Sequence, residues 1–142
     1  MLILDTNHFS EIGRDNAIGR RLQRRLDESG IRPALTVITL EESMKGWLAQ
    51  INPHRQPDRG IEAYAKFQQG VESFAEWLVL PWVEAAADIF DELRARRVRI
   101  GTLDLRIASI ALAFDATLLT LPFDCAQGTR NLADFRQVPG RV

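Results

Sequence analysis

Cys125 is the only thiol in this 142-residue sequence. A single cysteine rules out an internal disulfide and suits a reducing compartment. Histidine is equally scarce, with only His8 and His54, and so small a set argues against a zinc site of the usual ligand type. There is no glycine-rich phosphate loop of the Walker kind, which disfavours a nucleoside triphosphatase. No serine stands in a nucleophile elbow and no cysteine–histidine pairing is suggested, so covalent hydrolysis lacks its parts. No apolar run is long enough to cross a membrane. Leu2–Leu4 is too short for a signal peptide and has no basic region ahead of it. The expected setting is therefore cytoplasmic, away from membranes. A net charge is nearly missing too: 18 basic and 19 acidic residues leave −1. Affinity for a polyanion would have to come from local patches.

What is present is an ordinary globular mixture, 46% hydrophobic and 26% charged. The length suits one domain over residues 1–142, with no repeat, low-complexity tract or linker. The apolar run Leu2–Leu4 reads as a buried strand that drops directly into Asp5, Thr6 and Asn7. A short helix is expected over Phe9–Ile12. Ile18, Leu22 and Leu26 form a helical stripe over residues 15–29, ended by Gly30. A second strand is predicted over 34–38, followed by a helix from Leu40 to about Ile51. Thr39 and Glu42 match the capping-box spacing at the start of that helix, and Gly46 inside it suggests a close backbone approach. Ile61, Tyr64, Phe67, Val71, Phe74 and Leu78 predict an amphipathic helix whose aromatic stripe belongs to the core or to a dimer seam. Further strands are read at 78–81 and 117–120, and a short edge strand at Gln137-Val138. Helices are read at 83–97 and from Leu105 to Ala113. Strands alternating with helices imply an α/β fold, a three-layer sandwich around a mostly parallel sheet.

Three carboxylates occupy equivalent places in that alternation. Asp5 ends the first strand, Glu42 lies in the first turns after the second, and Asp104 opens the buried helix before the fourth. Ligands of parallel α/β sheets sit beyond the carboxyl ends of the strands. Carboxylates gathered there repel one another unless a cation neutralises them, and a hard divalent ion with oxygen preference, Mg²⁺ or Mn²⁺, does so. Each also has a structural reading: Asp5 as a turn acid, Glu42 as a capping residue, Asp104 as a partner of the helix dipole. It is the three together that favour a site. Arg20, Arg21, Arg24 and Arg25, and a second group around Arg97 and Arg99, read first as solvated helix faces. They become candidate contacts to a polyanion backbone if the site handles phosphates.

At these residues the sequence resembles the PIN-domain ribonucleases, and among them the toxin subunits of VapBC toxin–antitoxin modules. The matching pieces are Leu4-Asp5-Thr6-Asn7, the run Ile38 to Gly46, the run Gly101 to Ser109, and the run Thr129 to Phe135. They occur in family order across the whole chain. The resemblance implies a PIN-like three-layer α/β/α sandwich with a central sheet of four to five strands. It also implies a Mg²⁺- or Mn²⁺-dependent endoribonuclease with Asp5, Glu42 and Asp104 as metal ligands. Glu42 is preferred to Glu41, which falls where the family usually has a small residue. Asn131 takes the fourth acidic position, holding a water, and Thr6 positions a site carboxylate or water. A small VapB-type antitoxin, an RNA substrate and a homodimer are the implied partners, with the two arginine groups as candidate RNA-backbone contacts.

One departure stands out. In the family the strand-four threonine runs directly into the Arg-Asn pair, whereas here Leu121 to Gly128 intervene between Thr120 and Thr129. Either the insertion folds out and returns Asn131 to the site, or Asp124 replaces it, or the fourth position is lost. The intact Thr129-Arg130-Asn131 motif favours the first. The alternative functions are a PIN nuclease of RNA maturation without an antitoxin, and a PIN-like binding module that has lost catalysis. A haloacid-dehalogenase-like phosphatase also begins with a strand and an aspartate. It requires a second aspartate where Asn7 stands.

Overall fold

A computed structural model describes residues 1–14, 16–51 and 57–120. Asn131, Asp124 and the strand expected at Gln137-Val138 lie outside the described residues. The order of elements is β1 (Leu2–Leu4), α1 (Thr6–Ile12), α2 (Ala17–Ser29), β2 (Leu35–Thr36), α3 (Val37–Ile51), α4 (Pro57–Ala75), β3 (Val79–Leu80), α5 (Glu84–Ala95), α6 (Thr102–Ala113) and β4 (Thr117–Leu119). Helix α1 starts earlier than expected because Asp5 caps it, its side chain accepting from the His8 backbone N–H. Gly30 closes α2 as predicted, in the left-handed region at φ 64°.

The strands are parallel and short. β1 lies beside β4, with Leu2 opposite Thr117 and Leu4 opposite Leu119. β2 lies beside β3, with Leu35 opposite Val79 and Thr36 opposite Leu80. A parallel bridge between Ile3 and Ala34 links the two pairs, carried by Leu4 N–H to Ala34 O at 3.0 Å and Ala34 N–H to Leu2 O at 2.8 Å. Among the described residues there are thus two two-stranded pairs joined by a bridge, in place of the expected continuous sheet of four to five strands. β2 is cut short by its own sequence. The Thr36 hydroxyl accepts from the Thr39 backbone N–H at 3.1 Å. Helix α3 therefore begins at Val37, and the capping box expected of Thr39 and Glu42 is not the one used. Glu42 is left with a side chain free of capping duty.

Residues alternate across the strands, and each face has its own core. Ile3, Ala34, Leu80 and Leu118 point into a cluster with Ala86, Phe90 and Leu93 of α5 and with Leu105, Ile107, Ala108, Ile110 and Ala111 of α6. Leu4, Leu35, Val79 and Leu119 point the other way, toward Phe9 of α1, Leu26 of α2, and Trp47, Phe74 and Trp77. Helices on both faces of parallel strands make the three-layer arrangement read from the sequence. On the second face Phe9 and Phe74 stack at 4.5 Å, and Trp47 meets Phe74 at 6.0 Å. The predicted stripe of α4 is divided. Phe74 is buried, while Ile61, Tyr64, Val71 and Leu78 are exposed.

Close approach in this region falls at Gly70, not at Gly46. A Cβ at Gly70 would sit 2.5 Å from the Trp47 ring, whereas nothing lies within 4 Å of one at Gly46. Gly70→Ala is expected to lower the unfolding free energy by about 1–3 kcal/mol through overpacking against a rigid ring. Gly46→Ala, freed of the glycine penalty in a helix, is expected to raise it by about 1 kcal/mol. In thermal unfolding the latter reads as an increase of about 3 °C.

Candidate active site

The parallel register brings four chain segments to one edge. Asp5 follows Leu4, α3 follows Thr36, Pro81 follows Leu80, and Thr120 follows Leu119. Asp5 is the centre of that edge and is only 3% exposed. Its Oδ1 accepts from the His8 backbone N–H at 2.8 Å and lies 2.9 Å from His8 Nδ1. Its Oδ2 accepts from the Thr120 hydroxyl at 2.8 Å. A buried carboxylate held on both oxygens is fixed in place, and with about four lone-pair positions it retains capacity for another partner.

Glu42 is tied to the same place. The Thr6 hydroxyl, one residue after Asp5, donates to the Glu42 carboxylate across the gap between α1 and α3. Glu41 turns elsewhere. It pairs with Lys45 one turn along the surface of α3. The Lys45 hydrogen bond holds the Glu41 carboxyl below the usual glutamate range, and the Arg106 charge acts in the same direction. The geometry therefore separates two adjacent glutamates, one committed to a surface lysine and the other to the Asp5–Thr6 corner.

Asp104 lies in the first turn of α6, half-buried, with its carboxylate folded toward Gly101. A Cβ on that glycine would stand 3.0 Å from Asp104 Oδ2. Helix α6 packs against α3, and Arg106, two residues after Asp104, lies near enough for its charge to act on Glu41. Among the described residues, however, no three His, Cys, Asp or Glu side chains stand together as a metal-holding group. Asp5 and Glu42 are drawn to one corner, and Asp104 is not gathered to the same point. The donor set still fits a hard divalent ion by type. Mg²⁺ is commonly bound through one or two carboxylates with waters filling the remaining positions, and Asp5 and Glu42 offer oxygen donors of that kind. Arg20, Arg21, Arg24 and Arg25 are exposed on α2, and Arg97 and Arg99 are exposed on the loop that feeds α6.

Two participants escaped sequence reasoning as site residues. Thr120 is one, and its only signal is a hydroxyl at the carboxyl end of a strand parallel to β1. His8 is the other. Its buried ring supports Asp5, with Nδ1 2.9 Å from Oδ1.

Asp5→Ala would leave the His8 N–H, the His8 ring and the Thr120 hydroxyl without their acceptor and would remove the cap of α1. A loss of about 2–4 kcal/mol in urea denaturation is expected. Asp5→Asn keeps an oxygen for the cap and should lose only about 1 kcal/mol. An equal loss for both would show that the negative charge itself, not the acceptor geometry, stabilises this corner.

No family model matches the chain, and no curated protein matches its sequence. Solved structures do. A chain of the crystal structure of FitAcB from Neisseria gonorrhoeae shares 24% identity with a TM-score of 0.69, over 100% of this chain and 96% of that one. A chain of a toxin–antitoxin complex from Klebsiella pneumoniae shares 20% identity with a TM-score of 0.68, over 100% and 96%. A chain of DNA-bound VapBC from Salmonella typhimurium shares 23% identity with a TM-score of 0.67, over 99% and 93%. At such identities the likeness is one of fold, and it extends over the whole length of both chains.

Proposed function

We propose that this chain is a metal-dependent endoribonuclease of the PIN-domain, VapC type, acting as the toxin of a toxin–antitoxin pair. The observation that carries the reading is the corner where Thr6 ties Glu42 to the residue beside a buried, doubly held Asp5, at the carboxyl edge of parallel strands. The whole-length likeness of fold to chains from toxin–antitoxin complexes supports it.

In this reading Asp5 and Glu42 would hold Mg²⁺ or Mn²⁺ at their shared corner, and the family resemblance would add Asp104, from the start of α6, as the third ligand and Asn131 as the holder of a water. Such an ion, when bound, would supply Lewis-acid chemistry, activating a water and stabilising negative charge on the phosphodiester oxygens. The protein's own part is positioning. His8 and Thr120 fix the Asp5 carboxylate, and Thr6 turns Glu42 inward, so that little reorganisation is needed when the scissile phosphate arrives. The exposed arginines at 20–25 and at 97 and 99 contact the RNA backbone. The partner is a small VapB-type antitoxin whose tail covers the acidic cleft, and the toxin pairs as a homodimer.

Induced expression of wild type in a bacterial host should arrest growth and leave discrete RNA fragments, whereas Asp5→Asn should do neither. Soluble wild type that is harmless and leaves RNA intact would remove the nuclease reading. In a second measurement, Mn²⁺ should raise the melting temperature of wild type, because an ion bound only by the native state stabilises it by mass action. The same addition should shift Asp5→Asn and Glu42→Gln much less.

A further inference from the structure

Beyond the acidic corner, the carboxyl edge carries, among the described residues, one large exposed aromatic side chain. Trp82 lies two residues after β3, in the segment that leads into α5, and is 36% exposed. It is not a loose side chain. Its ring meets the buried Phe90 edge-on, with centroids 5.8 Å apart and planes at 79°. The guanidinium of Arg106 lies over the Trp82 ring, 6.0 Å from its centroid, and 5.8 Å from that of Phe90, so a base would stack on the opposite indole face; Arg94 lies 5.6 Å from Phe90. Arg106 is two residues from Asp104 on α6, and its charge also reaches Glu41, the neighbour of Glu42. A rigid aromatic surface and a fixed cation thus stand together on the edge that holds Asp5 and Glu42.

A single exposed apolar residue needs no explanation in itself. Three features of this one point to a ligand. Its orientation is set by Phe90, its position is on the functional edge, and its cationic neighbour is tied to the same helix turn as Asp104. An indole face beside a guanidinium suits a planar, electron-rich ring attached to a phosphate, since every base has a face that stacks and Arg meets the backbone charge. A paired base keeps its faces within the duplex stack, so the fit is to an unpaired one.

We propose that Trp82, oriented by Phe90 and flanked by Arg106, is a stacking subsite for an unpaired base of single-stranded RNA whose backbone runs toward the Asp5–Glu42 corner. For its substrate class this rests on the nuclease reading above. The subsite biases the protein toward single strands and sets the distance between the stacked base and the bond that is cut.

The test measures binding by fluorescence anisotropy in the full-length Asp5→Asn protein with Mg²⁺ present. The probes are a labelled single-stranded RNA of about 12 nucleotides, the same strand made with abasic positions, and its duplex. Trp82→Ala is expected to weaken binding of the ordinary strand about tenfold, while Trp82→Phe stays within about threefold of the parent. Neither change should alter binding of the abasic strand or the duplex. Arg106→Gln should weaken both single strands and reduce the salt dependence by about one phosphate contact. If Trp82→Ala does not fold, Trp82→Leu takes its place. Tryptophan emission gives a second reading: the ordinary strand should quench the parent and the abasic strand should not, and the quenching should vanish in Trp82→Phe, which keeps Trp47 and Trp77. Equal affinity of parent and Trp82→Ala for the ordinary strand overturns the proposal, as does an equal loss with the abasic strand. Cleavage is scored separately. A wild type that cuts no RNA yet shows the base-dependent loss keeps the subsite and removes the nuclease reading. A wild type that cuts without that loss does the reverse.

Discussion

The constraint on which this site depends is the double anchoring of one buried carboxylate. Asp5 caps α1 through His8 on one oxygen and receives the Thr120 hydroxyl on the other. These bonds join the end of β1, the start of α1 and the end of β4, segments that also meet through the strand ladder and through Leu4, Phe9 and Leu119 in the second core. An acid this far from solvent is costly to leave unpaired, so the arrangement is structurally required whatever else Asp5 does. It also means that any chemistry at Asp5 begins from a fixed geometry, with Thr6 carrying Glu42 to the adjoining corner.

The two cores explain why that edge can be exact in position although the strands are only two or three residues long. Side chains alternate so strictly that Ile3 and Leu4, or Leu118 and Leu119, are buried in different clusters. A slip of one residue would exchange the two faces and leave both cores mispacked. Register is therefore held by the helices on either side more than by the few ladder hydrogen bonds. The residues just past each strand end inherit that precision.

Much of this was legible in the sequence because it rests on local periodicity. The strand before Asp5, the αL glycine after α2 and the buried helix after Asp104 were all read from spacing alone. What was misread involved competition between equivalent local signals. Thr36 and Thr39 are both capable caps for α3, and only the length of β2 decides for Thr36. Gly46 and Gly70 both interrupt helices, and only the placement of Trp47 shows which one is needed for packing. Choosing Glu42 over Glu41 rested on the family resemblance. Glu41 pairs with Lys45 one turn along α3, and Glu42 accepts from Thr6, a tertiary contact that no local pattern carries. Thr120 could not be assigned to Asp5 from the sequence, because a partner 115 residues away carries no local pattern.

Charge balance sharpens the question of how such a chain would hold a polyanion. The whole carries −1, and the functional edge is acidic where the proposed reaction takes place. Without a cation, carboxylates such as Asp5 and Glu42 would repel phosphates, so under the proposed function affinity would have to arise at the margins of that centre. Arginines on α2 and on the loop before α6 can supply an attraction that salt weakens readily, because they are exposed. A stacked base on Trp82 contributes without any net charge and is weakened far less by salt. Stacking also discriminates, since a duplex buries its base faces and a single strand presents them. With the proposed subsite, a nearly neutral chain with an acidic centre would gain from an aromatic anchor what a strongly basic chain gains from charge, with selectivity for unpaired nucleotides in addition.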